Sequence, residues 1–137
     1  MLVRNLSAAA AQLGLKDDPD ILWFRKYQEV RGLLAANNVS ASARAAADAL
    51  VKLDPENPGA LALRGKLSYR AGDIQSAKRD LLRVLSVNPA DSVTRYGLAV
   101  IYEQEGDFKS ARSEWETLLQ TEPGNAAAAQ HLKNLPG

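Results

Sequence analysis

Apolar residues return along this chain at steps of three and four, the spacing that lines one face of an α-helix. Leu2, Leu6, Ala9, Ala10 and Leu13 form a first such face. Ile21, Leu22, Phe24, Tyr27, Val30, Leu33 and Leu34 form a second, and Ala43, Ala46, Ala47 and Leu50 a third. Between the faces stand residues that start and stop helices. Asp18 or Asp20 caps a helix over about 19–36 with Pro19 in its first turn. Asn37-Asn38 closes it, because Asn tolerates the left-handed conformation, and Ser40 caps the next helix, about 41–53. Asn57-Pro58 opens a helix over 58–71; Gly72 ends it and Asp73 caps 74–87. Asp91 or Ser92 opens 93–105, Gly106 ends it, and Asp107 caps 108–121. Gly124-Asn125 starts a last helix, 126–135, stopped by Pro136-Gly137. No strand is predicted. About eight helices joined by short connections must lie antiparallel to their neighbours.

The punctuation repeats. Pro55, Pro89 and Pro123 stand 34 residues apart, as do Ala43, Ala77 and Ala111, and Gly72-Asp73 stands 34 before Gly106-Asp107. A fixed period of this size marks stacked helix pairs, each too small to bury its apolar face without the next. Close crossing within a pair calls for a small residue midway along the first helix. Gly65 and Ala99 supply it, facing Ala77 and Ala111. In the 92–125 unit Leu98, Ala99, Tyr102, Ala111, Trp115, Leu118 and Pro123 fall in one pattern, with Trp115 expected in the core. The 58–91 unit repeats it at Leu61, Gly65, Ala77, Leu81, Val84 and Pro89. It departs at Arg64 and Ser68, which predicts a re-phasing onto Leu63 and Leu67. The 19–57 unit keeps Tyr27, Val30, Leu34, Ala43 and Pro55, but has Arg31 at the small position and Asn38-Val39 in place of Gly-Asp.

This pattern resembles the tetratricopeptide repeat (TPR) family over about residues 24–135. The resemblance implies an all-α, right-handed α-solenoid of antiparallel helix pairs in a single domain, 1–137. Its parts would be an N-terminal helix (1–18), a degenerate repeat (19–57), two good repeats (58–91 and 92–125) and a polar capping helix (126–137). In such arrays the first helices line a concave face that holds an extended peptide or a partner helix. Carried over residue by residue, that face holds Gln28 and Gly32 from the first repeat and Ala62, Lys66, Tyr69 and Arg70 from the second. The third repeat supplies Tyr96, Val100, Glu103 and Gln104, and the last helix Gln130 and Asn134. Tyr69 and Tyr96 are amphipathic groups of the kind found at binding hot spots. Lys66 and Arg70, one turn apart, suit a carboxylate or a main-chain carbonyl. The Lys/Asn/Arg clamp by which some TPR domains grip a C-terminal carboxylate is absent, its places being held by Gln28, Gly32, Leu63, Val93 and Gly97. An internal segment or an amphipathic helix fits better.

Composition narrows the chemistry. Charge is nearly balanced at +1 over 137 residues, with no basic run of the sort nucleic acid demands. No apolar run reaches the roughly 18 residues of a membrane span. There is no cysteine and a single histidine, His131, which leaves little for a metal site or a catalytic relay. His131 reads as a solvated residue near a helix C-terminus, favourable to the helix dipole. Asp17/Asp18 lies in a turn, and Glu103 and Glu105, two apart on a helix, do not face each other. No phosphate loop, HExxH or GxSxG is present. The expectation is a non-enzymatic interaction module with no catalytic residue, metal or cofactor. Its partner is a protein or peptide, neither nucleic acid nor membrane, and a cytoplasmic location is favoured.

Residues 1–16 contain no acid, and three readings stay open for them. They are a secretory signal with a weak apolar centre, a presequence for mitochondria, or the second helix of a broken repeat. The last is favoured because Ala9 and Leu13 lie one period before Ala43 and Ala47. Trp23-Phe24 is core if that helix packs on it, and otherwise an exposed patch suited to a homo-oligomer contact. The rival to an interaction module is therefore a spacer or self-assembling solenoid, perhaps within a larger protein.

Overall fold

The structure, a computed structural model, describes residues 18–136. Seven helices and no strand occur among the described residues: α1 (Pro19–Ala35), α2 (Ala41–Leu53), α3 (Pro58–Arg70), α4 (Ile74–Val87), α5 (Ser92–Gln104), α6 (Phe108–Thr121) and α7 (Ala126–Asn134). Each expected helix in this range is present with ends within a residue or so. The expected N-terminal helix lies outside the described residues. Contacts divide the chain into two compact units, Met1–Ala77 and Lys78–Gly137, the division falling inside α4.

In the first unit α1 packs on α2, α2 on α3, and α1 on α3. Asp18, the first of the two candidate caps, accepts from the Asp20 N–H at 2.9 Å, and Pro19 takes the first helical position. Val30, Ala43, Ala47, Leu50 and Ala60 are wholly buried, and Leu61, Leu63 and Leu67 nearly so. Leu63 and Leu67 carry the re-phased face of α3, with Gly65 buried between them. Ser68 is buried too, while Arg64 turns to Asp48 at 3.4 Å.

The turn after α1 departs from the expected substitution of Asn38-Val39 for Gly-Asp. Asn37 adopts the left-handed conformation (φ 54°), as Gly72 (φ 86°) and Gly106 (φ 78°) do at the later turns. All three are followed by the same closure. The next N–H reaches back to Leu33, Ser68 and Tyr102 respectively, each at 2.9 Å. Ser40 then does what Asp73 and Asp107 do, its hydroxyl accepting from the Ala43 N–H at 3.2 Å. So α1 stops one residue early, α2 is capped one residue late, and the 34-residue step between Ala43 and Ala77 survives.

In the second unit α5 packs on α6 and α6 on α7. Asp91, Asp107 and Asn125 cap the three helices through the N–H groups of Thr94, Ser110 and Ala128 at 3.0–3.2 Å. The core is Ala99, Ala111, Trp115, Leu118, Ala128 and Leu135, with Val100, Tyr102, Phe108, Leu119 and Leu132 packed against it. Small residues at 99 and 111 leave room for Trp115, the largest wholly buried side chain, as expected.

Candidate interaction surface

Each unit presents its share of the sequence-predicted residues in a different state. In the second unit two of them, Tyr96 and Glu103, meet at the Trp115 indole. Its N–H donates to Glu103 Oε2 at 2.8 Å, and the same oxygen lies 2.7 Å from His131 Nδ1. The His131 ring stacks on the indole (centroids 4.2 Å, 16°), and Tyr96 meets it edge-on (4.9 Å, 84°). Tyr96 and His131 are themselves 6.0 Å apart and nearly perpendicular. Three helices thus contribute one polar–aromatic cluster: Tyr96 and Glu103 from α5, Trp115 from α6 and His131 from α7. The expectation that His131 is a solvated helix-end residue is corrected here. Its side chain is two-thirds covered, because the flat face of Trp115 and the Glu103 carboxylate together hold it.

Glu103 is accordingly occupied within the cluster, and Val100 is half-buried against the core. Tyr96, Gln104 and Gln130 are exposed. Tyr96 keeps 36% of its surface and its neighbour Val93 69%. Together with Ser92, Glu122 and Asn125 these two line an open cavity of about 250 Å³. Val93 was read from the sequence only as a missing clamp residue, and no periodic signal marks it as an exposed apolar contact.

Two ion pairs brace the same unit. Arg95 joins Glu114 at 2.6 Å and also donates to the Pro89 carbonyl at 2.8 Å. Lys78 joins Glu105 at 2.9 Å and stands 5.7 Å from the centre of the Tyr102 ring. The hydrogen bonds it donates to the Glu105 carboxylate hold the Lys78 ammonium above its ordinary pKa, and burial raises that of the Tyr102 phenol.

In the first unit, Lys66 is exposed, while Gln28 and Tyr69 are half-buried. Arg70 already holds a main-chain carbonyl, that of Leu34 near the end of α1, at 2.6 Å. The guanidinium therefore neutralises the negative end of α1 as well as pointing a charge outward. Trp23 and Phe24 are both half-buried, Trp23 stacked on Tyr27 with centroids 5.0 Å apart.

Among the described residues no group of three or more His, Cys, Asp and Glu is placed to hold a metal ion. No described helix is long and apolar enough to cross a membrane. In the second unit the surface offers the Tyr96 ring, 36% exposed and backed by Trp115 and His131.

Fold and surface together define a helical-repeat protein. Family profiles described as tetratricopeptide repeat match residues 27–77 and 68–135. This chain belongs to the tetratricopeptide repeat family. It is 31% identical over 64 residues to cellulose synthase operon protein C of Pseudomonas fluorescens, covering 47% of this chain and 5% of that protein. It is 31% identical over 100 residues to a tetratricopeptide repeat and J domain-containing co-chaperone of Cryptococcus neoformans var. grubii, covering 73% and 19%. The chain thus spans a small part of the length of either relative. Two crystal structures of MamA share its fold, with TM-scores of 0.76 and 0.75 at 18% and 21% identity. They cover 96% and 90% of this chain, and 77% and 71% of theirs.

Proposed function

We propose that this chain is a non-enzymatic protein-interaction module that holds a peptide segment or helix of a partner protein on the faces of its first helices. One observation carries the reading: Tyr96 is exposed on one side and fixed on the other by Trp115 and His131. An aromatic side chain already immobilised loses little entropy on binding and presents apolar area with a polar tip. Val93, Val100, Gln104 and Gln130 supply the apolar and amide surroundings in the same unit. In the first unit Lys66, Arg70, Tyr69 and Gln28 form a more basic counterpart, suited to a segment carrying an acid. Membership of a repeat family that also occurs in a co-chaperone supports the same reading.

The test is a peptide-display selection on the full chain, followed by amide chemical-shift mapping with the selected peptide. Shifts centred on residues 93–104 and 126–134, and affinity lost at least tenfold in Tyr96→Ala, are expected. A peptide whose shifts map to the outward faces of α4 and α6, with Tyr96→Ala binding as well as the native chain, would refute the assignment.

A further inference from the structure

Ser92, Val93 and Tyr96 at the start of α5 line the open cavity of the second unit. Its other wall is Glu122 and Asn125, from the connection between α6 and α7. The repeat itself does not ask for the apolar side of this cavity. One period of 34 residues earlier, Gly59 and Ala62 stand where Val93 and Tyr96 do, so helix packing leaves both positions free to vary. Yet here both are large, apolar and exposed. Glu122 is the only charged residue among the described residues lining the cavity, and its carboxylate has no hydrogen bond or ion pair with any described residue. Asn125 accepts from the Ala128 N–H through Oδ1 at 3.0 Å, which leaves its Nδ2 donor unanswered among the described residues.

The sign of the charge at this site is set by more than Glu122. Helix starts attract anions, and those of α5 and α7 stand at the cavity. Asp91 and Asn125 already cap them through the N–H groups of Thr94 and Ala128, and Asp91 adds a second carboxylate at that end. Arg95, on the same helix as Val93 and Tyr96, is held by Glu114 and by the Pro89 carbonyl.

Resting on the reading that a partner segment lies on the first-helix faces, we propose that the segment seated here presents an apolar side chain beside a lysine or arginine. The apolar side chain covers Val93 and the open edge of Tyr96. The cation meets Glu122, and a main-chain carbonyl of the segment accepts from Asn125 Nδ2. Burial of the apolar contact supplies affinity, while the carboxylate selects by sign. An acidic segment would set like charges against Glu122 and Asp91 with no lining cation to offset them, so the same arrangement discriminates against it.

A random-peptide display selection on the full native chain should return sequences in which Lys or Arg flanks an apolar residue. The same selection on Glu122→Lys should return Asp or Glu in that place. Glu122 is an exposed helix C-cap, where a cation suits the helix dipole, so this variant keeps the fold. For one peptide selected on the native chain, Glu122→Lys should weaken binding about threefold to tenfold. Exchanging the peptide's own cation for Glu should restore most of that loss, and added salt should weaken the native pairing. The same charge preference in both selections, with binding still lost in Tyr96→Ala, would overturn the cationic occupant while leaving the first-helix groove standing. Peptides indifferent to Tyr96→Ala, or no enriched peptide at all, would overturn the groove reading and this inference with it.

Discussion

The turn between α1 and α2 and the turn between α5 and α6 perform the same task with different residues. At the second, Gly106 takes the left-handed position and Asp107 caps the next helix at once. At the first, Asn37 takes that position, two further residues intervene, and Ser40 caps. Both turns close with the same backbone bond at 2.9 Å. The repeat therefore tolerates change in its loop as long as the helix crossing stays in phase, which Ala43, Ala77 and Ala111 secure. Packing rather than the connection holds the period. A second contrast lies in the two tryptophans. Trp115 has a carboxylate for its indole N–H, an imidazole stacked on it and a phenol ring edge-on to it; Trp23 has a stacked tyrosine and no acceptor among the described residues.

The largest effect should come from the better-built tryptophan. Trp115→Ala removes the biggest core side chain and should cost about 3–5 kcal/mol, read as a fall in the urea midpoint of the second unit. An unchanged midpoint would mean the Trp115 cluster contributes little to that unit. Overpacking comes next. Gly65→Leu in the first unit and Ala111→Leu in the second should each cost roughly 1–3 kcal/mol or more, and a wild-type melting curve for either would refute tight helix crossing there.

Glu103→Leu should follow at about 1–3 kcal/mol, because it strands the Trp115 N–H, whereas Glu103→Gln keeps an acceptor and should recover most of that loss. Equal effects of the two changes in chemical denaturation would show that the hydrogen bond is dispensable. The turns supply a smaller, opposed pair. Gly106→Ala forces a side chain into the left-handed region and should cost about 1–2 kcal/mol, while Asn37→Gly should stay within about 0.5 kcal/mol of the native chain. Thermal melts of the pair would break the comparison if the two changes came out alike.

The smallest effect concerns acid. Hydrogen bonds from Ser76 hold the Asp73 carboxyl below its ordinary pKa, with Arg44 adding to them at 2.7 Å, and Ser110 does the same for Asp107. A carboxyl depressed in the folded state stabilises above its unfolded pKa and loses that contribution as pH falls through the folded value. Both caps should therefore weaken together only in acid below the normal carboxylate range. Carboxyl carbon titration by NMR would show midpoints at or above ordinary values if the caps were not formed.

Much of this protein was legible in its sequence. Local rules choose helix starts and stops, so Pro19, Pro58, Asp107 and Asn125 mark boundaries that the structure keeps, and a 34-residue step leaves a family and an all-α fold with little choice. The burial of Trp115 followed from its place in that step. Other features needed the folded chain. Nothing in a linear spacing brings His131 to Glu103, because three helices must pack before one carboxylate oxygen can serve an indole and an imidazole together. Arg70, read as a groove cation, turned out also to hold the Leu34 carbonyl, since only the fold brings the start of its guanidinium's reach to the end of α1. Periodicity reports which face of a helix is covered; it carries no record of which side chains meet there, and that pairing is decided by tertiary contact.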